Sequence, residues 1–267
     1  MTRELSNGIN LKGPLQLSGS AGTSGQVLTS AGAGAVPTWA AASGFTGGTL
    51  TSNLTLAAGT TSLSPLTFQS GTNLTTATAG AMEYDGKVIY STPAGRGVSP
   101  SMMLYRLHST LAGADTTSVQ SLFGVGVTLA ASTSYLFQSY IVMQKTTGTT
   151  SHTVSLRMNT TTTVRDIAYG GTFGLVTSPS NGINSTTGSF YGTTVSSVQA
   201  TSSIATASQQ VQLIFQGSIT TNLSPVLTPQ YILSAAPGGA YTIQSSSYFA
   251  IWPIGAYGAN TSVGPWA

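Results

Sequence analysis

The sequence predicts an all-β protein whose second half, residues 101–267, is an antiparallel sandwich of jelly-roll type. Three observations carry that prediction. Charged residues make up 5% of the 267 residues, against about 25% in ordinary soluble domains, while hydrophobic residues make up 40%. Solubility therefore rests on Ser, Thr, Asn and Gln, and enough apolar mass remains for a core. A Thr-rich, β-branched composition with 32 Gly favours pleated strands separated by turns. Finally, short apolar runs with a period of two recur through the second half without a convincing helical period.

Taken in order, residues 1–100 read as short strands broken by glycine. The stretch GTSGQVLTSAGAGAVPTW (22–39) has almost nothing that a core normally uses until it ends in Pro-Thr-Trp. GFTGGTLTSNLTLAAG (44–59) and SPLTFQSGTNL (64–74) alternate loosely. Each offers one or two apolar side chains per face, too few to offset an ordering entropy of about 1–2 kcal/mol per residue. Such strands need partners from elsewhere. AMEYDGKVIY (81–90) reads as a hairpin closed by a two-residue type I′ turn at Asp85-Gly86, with Met82, Tyr84, Lys87 and Ile89 on one face.

The chain divides near residue 100, and the strands become denser beyond it. YLFQSYIVMQ (135–144) is apolar enough to suit a strand buried on both faces. His152, Val154, Leu156 and Met158 alternate with polar residues, as do Val211, Leu213, Phe215 and Ile219 against Gln210, Gln212 and Gln216. Residues 231–233 and 248–254 complete at least six strands, with a turn at Pro237-Gly238-Gly239 between the last two. A short helix over 118–123 is an open alternative.

Chemistry-bearing residues are few. No Cys is present, which excludes disulfides and thiol catalysis. The eight Lys and Arg are scattered, so no cluster exists to neutralise nucleic-acid phosphates. No run of 18 apolar residues spans a membrane, and the first ten residues have no apolar leader segment. Glu83 and Asp85 are the one close acidic pair, and Asp85 sits where a turn favours Asp. Arg165-Asp166 reads as an ion pair in a loop. His108 and His152 have no acidic neighbour that suits a metal site. With no G-x-S-x-G elbow and no phosphate-loop Lys after Gly22–Gly25, the sequence predicts no enzyme, no metal and no cofactor. Aromatic side chains are what is left. Tyr169, Phe190 and Tyr191, read as lying in Gly-rich loops, are the candidates for stacking on a sugar ring, while Trp252 suits the core or a subunit seam.

The opening stretch, followed by FTGGTLTSNLTLAAGTTSLSPLTFQSGTNL and AGAMEYDGKVIYSTPAGRG, resembles the shaft modules of fibre proteins of tailed bacteriophages, cyanophages among them. LTPQYILSAAPGGAY and SSYFAIWPIGA resemble the closing strands of the C-terminal domain in the same group. The resemblance implies a homotrimeric virion protein with an attachment segment over 1–40, an intertwined trimeric β shaft over 41–100 that includes the hairpin at 81–90, and a head over 101–267 of jelly-roll or TNF-like topology. Val27, Leu28, Trp39 and Trp252 would then lie on the trimer axis or seam. The implied partners are two further copies, another virion protein of tail, baseplate, neck or head through the N-terminal segment, and a host-surface glycan through Tyr169, Phe190 and Tyr191. Two alternatives stand beside this expectation: a head or neck decoration fibre with no specific receptor, and a polysaccharide-degrading tailspike, which needs carboxylates the chain barely has.

Overall fold

The computed structural model describes residues 16, 17, 19–41, 53–92, 97–99, 102–176 and 186–258. Regular structure in them is entirely β, and the chain divides into two compact units, Met1–Leu66 and Thr67–Ala267.

In the first unit, β1 (Gln26–Thr29) pairs antiparallel with β2 (Thr38–Ala41), bringing Leu28 opposite Trp39. The indole explains how so apolar-poor a stretch takes a defined shape. It lies on Gly22, where any Cβ would stand 2.9 Å from the ring and where φ is +71°, a conformation that only glycine adopts readily. Its Nε1 donates to the Ser20 carbonyl at 3.0 Å. A two-stranded hairpin is nonetheless marginal alone. Residues 53–66 belong to no strand among the described residues, and Leu54, Leu56, Leu63 and Leu66 all point into solvent.

The second unit begins at Thr67, not near residue 100. The reason is the hairpin expected in the shaft: β3 (Met82–Tyr84), β4 (Ile89–Ser91) and β5 (Gly97–Ser99) form a three-stranded sheet, and Lys87 Nζ donates to the Ala131 carbonyl at 2.8 Å. The expected two-residue turn is also corrected. Tyr84 pairs with Ile89, so Asp85, Gly86, Lys87 and Val88 all form the loop. Only Gly86 has positive φ, whereas a type I′ turn needs two such residues. Asp85 decides the outcome, because its Oδ1 accepts from the amides of Lys87 and Val88, both at 2.8 Å. Lys87 therefore leaves the face it was expected to share.

The remaining strands are β6 (Met103–Arg106), β7 (Leu111–Ala112), β8 (Gln120–Ser121), β9 (Val127–Thr128), β10 (Thr133–Lys145), β11 (Val154–Thr160), β12 (Val164–Val176), β13 (Thr186–Gly192), β14 (Val198–Gln199), β15 (Gln209–Thr221), β16 (Val226–Leu233), β17 (Thr242–Ile243) and β18 (Tyr248–Ala256). They make two antiparallel sheets. The larger runs β13-β12-β15-β10-β17-β7, with β18 also on β10 and β6 on β18; the smaller runs β14-β11-β16-β8, with β9 also on β16. No helix forms over 118–123, since Gln120 and Ser121 pair with Tyr231 and Gln230.

The core lies between these two sheets. Phe137, Ile141, Leu213 and Phe215 from the larger sheet meet Leu156, Met158, Leu227 and Tyr231 from the smaller. Glycines fit the aromatics on the inner face: Gly217 stands opposite Phe137 and Tyr169, and Gly171 opposite Phe215. A Cβ on Gly217 would lie 2.6 Å from Tyr169 Cβ and would collide with the Ala168 carbonyl. Residues 135–144 prove to be one-faced rather than buried on both sides. Tyr135, Phe137, Ile141 and Met143 are buried, while Leu136 and Gln138 on the opposite face are exposed. The reason is that the larger sheet has a second layer on one side only among the described residues.

Candidate functional site

Pleating sends alternate side chains to opposite faces, and this sorts the predicted aromatic residues. Tyr169 lies in β12 and Phe190 in β13, both facing inward and buried. This corrects their expected place in ligand-contacting loops. The glycines around them are strand glycines, packed under rings: Gly192 faces Tyr169 and Gly188 faces Phe173. Tyr191, next to Phe190, necessarily points the other way and is 75% exposed. Trp252 in β18 is half-buried on that same outer face, paired with Leu136.

Register aligns the outer face in rows. Gln138, Gln216, Gly170 and Tyr191 follow one another across β10, β15, β12 and β13; Trp252, Leu136, Ser218 and Ala168 form the neighbouring row. The middle is low because Gly170, Ala168 and Ser218 are small, and it rises at Trp252 and Tyr191. Together these residues line an open trough of about 770 Å³. Four strand spacings separate β18 from β13, roughly 19 Å at about 4.8 Å each. No charged side chain lines the trough. At one side, Thr193 and Ser218 are shared with a threonine-rich hollow of about 800 Å³ that includes Thr160, Thr163, Arg165 and Asp166. Arg165 Nε is 3.3 Å from Asp166 Oδ2, and its guanidinium lies 4.7 Å over the Tyr257 ring. That pair sits at a register shift in β12, not in the loop expected.

Other candidate residues are occupied structurally. Glu83 Oε1 accepts from the Leu74 amide at 2.6 Å. Burial alone would raise the Asp85 carboxyl, but the amides of Val88 and Lys87 and the Tyr90 hydroxyl outweigh it and hold the group below its usual value. His152 is buried, with Nε2 2.9 Å from the Tyr241 hydroxyl and Nδ1 2.8 Å from the Thr150 carbonyl. Burial lowers its pKa, and the nearby Lys145 pushes in the same direction. Among the described residues no group of three His, Asp or Glu is placed to hold a metal ion. Val27 and Leu28 are exposed in the first unit, whereas Trp39 is half-buried on its own hairpin.

A second feature is apolar. Met103, Leu104, Tyr105, Phe123, Val125 and Val127 help to frame a groove of about 320 Å³ at the sandwich edge beside β6. Of the trough residues, Leu136 and Gln138 were not singled out in the sequence, and Gln216 entered only as a polar member of an alternating strand. The Gln spacing at 210, 212 and 216 marks one polar face of β15 and signals Gln216 alone.

No protein-family profile matches the chain, and no curated protein does. Among solved structures, a chain in the structure of infectious bursal disease virus, Gx strain, is similar at 11% identity and a TM-score of 0.16, covering 66% of this chain and 48% of that one. A chain from the Gt strain is similar at 15% identity and a TM-score of 0.12, covering 60% and 43%. This chain thus spans about half the length of the first. TM-scores this low carry no shared architecture.

Proposed function

We propose that the chain is a structural fibre protein of a tailed-bacteriophage virion. In this reading it is a homotrimer that is anchored through its N-terminal segment, is intertwined as a β shaft beyond it, and presents the sandwich, as a jelly-roll or TNF-like head, to a glycan of the host surface. The observation that carries the reading is residues 53–66. Leu54 and Leu63 are 66% and 72% exposed there, and Leu56 and Leu66 join them, on backbone that belongs to no strand among the described residues. Burying a leucine is worth roughly 1.5–3 kcal/mol, so four laid open in one short segment favour a covered state. Two further copies supply that cover by pairing backbone with backbone along the segment. Exposed Val27 and Leu28, and in the head the apolar groove beside β6, give the same assembly further contact surface. The sparse charge, with no charged residue between Gly13 and Met82, leaves little repulsion between identical chains. Three weak head sites on one particle would then bind by avidity. The test replaces Leu54, Leu56, Leu63 and Leu66 together by Ser. The expected result is loss of the trimer with near-unchanged far-UV circular dichroism of the sandwich; a variant still trimeric would overturn this account of the shaft.

A further inference from the structure

The trough on the outer face of the larger sheet combines features that suit one class of ligand. A sugar ring offers an apolar C–H face and a rim of hydroxyls that both donate and accept. Tyr191, which is exposed, and Trp252, which is half-buried, stand at opposite ends of the trough; stacking on such rings buries the C–H face of a sugar while leaving its rim free. Gln138 and Gln216 lie side by side on β10 and β15, and each amide carries one acceptor and two donors in a fixed plane, which suits neighbouring hydroxyls. Ser218 and Thr193 add groups that serve in either role.

The lining has no Lys, Arg, Asp or Glu. An acidic sugar or a phosphate desolvated there would lack a countercharge, at a cost that an uncharged hydroxyl does not incur. The open shape and the roughly 19 Å span between the aromatic ends, four strand spacings of about 4.8 Å, favour a chain of rings over a single small molecule. Because the lining side chains stand mainly on paired strands rather than loops, the site keeps its geometry without ligand.

We propose that this trough binds a neutral oligosaccharide, with Trp252 and Tyr191 as stacking platforms and Gln138 and Gln216 reading hydroxyls. The proposal rests on the reading of the sandwich as the receptor-facing part of a fibre, and it moves the contact from the buried Tyr169 and Phe190 to residues of the opposite face. The test incubates the full chain with a glycan array carrying neutral hexose oligosaccharides and uronic-acid-containing counterparts, and measures affinity for the neutral compounds by biolayer interferometry. Light scattering on the same samples reports the oligomer.

The expected result is binding to at least one neutral oligosaccharide, weakened tenfold or more in Tyr191→Ala and in Gln216→Ala. Both side chains are exposed, so these variants keep the fold, and Trp252→Ala serves as a third variant. Ile214→Ser, on the same face outside the trough, should bind as the parent does. Binding confined to acidic glycans, no binding to any neutral compound, or unchanged affinity in Tyr191→Ala and Gln216→Ala would each overturn the proposal. Dissociation of a trimer by Tyr191→Ala would do so as well, because the face would then be a subunit seam. A trimer that binds no neutral glycan removes the trough alone, whereas a monomer that binds through Tyr191 removes the fibre reading and keeps the trough.

Discussion

Tyr169 carries a hydroxyl that the sandwich buries without a hydrogen-bond partner among the described residues. Burial raises its pKa to about 12, so the group stays a neutral, unsatisfied donor. Such a group costs about 1–3 kcal/mol. Tyr169→Phe is therefore expected to leave stability unchanged or raise it by about 1 kcal/mol, read as the urea midpoint. The buried His152 and Lys145 behave oppositely, because their polar atoms are partnered. Lys145 Nζ donates to the carbonyls of Thr147 at 3.3 Å, Gly148 at 2.6 Å, Ala207 at 3.3 Å and also Thr206, and burial lowers its pKa while Asp115 opposes the shift. For His152 the folded pKa lies below the ordinary 6.5, so in that window the unfolded chain binds more protons. Stability is then fully present above about pH 6.5 and is lost as pH falls through the lowered value. The urea midpoint should drop between pH 7.5 and pH 5, and that drop should vanish in His152→Gln. At this scale the sequence was least legible. Neither the orphaned hydroxyl of Tyr169 nor the carbonyl cage around Lys145 has a local signature, because both depend on residues brought together only by the sheets.

Glycine placement governs the elements. Read along the chain, Gly170-Gly171, Gly188 and Gly192 suggest loops, and that is why Tyr169 and Phe190 were expected at the surface. In the fold they are strand positions: at Gly188 and Gly192 an aromatic ring from the neighbouring strand takes the space of the missing side chain, at Gly171 the Ile214 carbonyl and the Phe215 Cβ do, and Gly170 leaves the outer face low. Gly217 is a strict case, set between Phe137 and Tyr169 with the Ala168 carbonyl against it. Gly217→Ala must move backbone, not merely a side chain, and is expected to cost about 3 kcal/mol, measurable by urea unfolding. The long strands were legible because an alternating pattern over 211–219 or 152–158 has one reading on a pleated surface. The turn at 85–88 was not, since Asp85 in a two-residue turn and Asp85 capping a four-residue loop share the same letters. The Tyr84–Ile89 pairing, the single positive φ at Gly86 and the hydrogen bonds to the Lys87 and Val88 amides separate them.

Across the whole molecule, the contrast is between a second unit with a well-filled core and a first unit whose described apolar side chains are mostly open to solvent. The sequence made the all-β class legible through its Thr- and Gly-rich composition together with the period-two apolar runs of its second half. It did not reveal the trough, which exists only where five strands align in register. Nor did it separate inner from outer aromatics in Phe190-Tyr191, where a single-residue offset reverses the answer. In the proposed trimer, three copies cover what one leaves exposed. Static light scattering on the purified full chain at micromolar concentration tests it most directly. The expected result is a particle of three times the chain mass, with residues 53–66 resistant to a broad-specificity protease; a monomer whose 53–66 segment is cleaved at once would rule the trimer out.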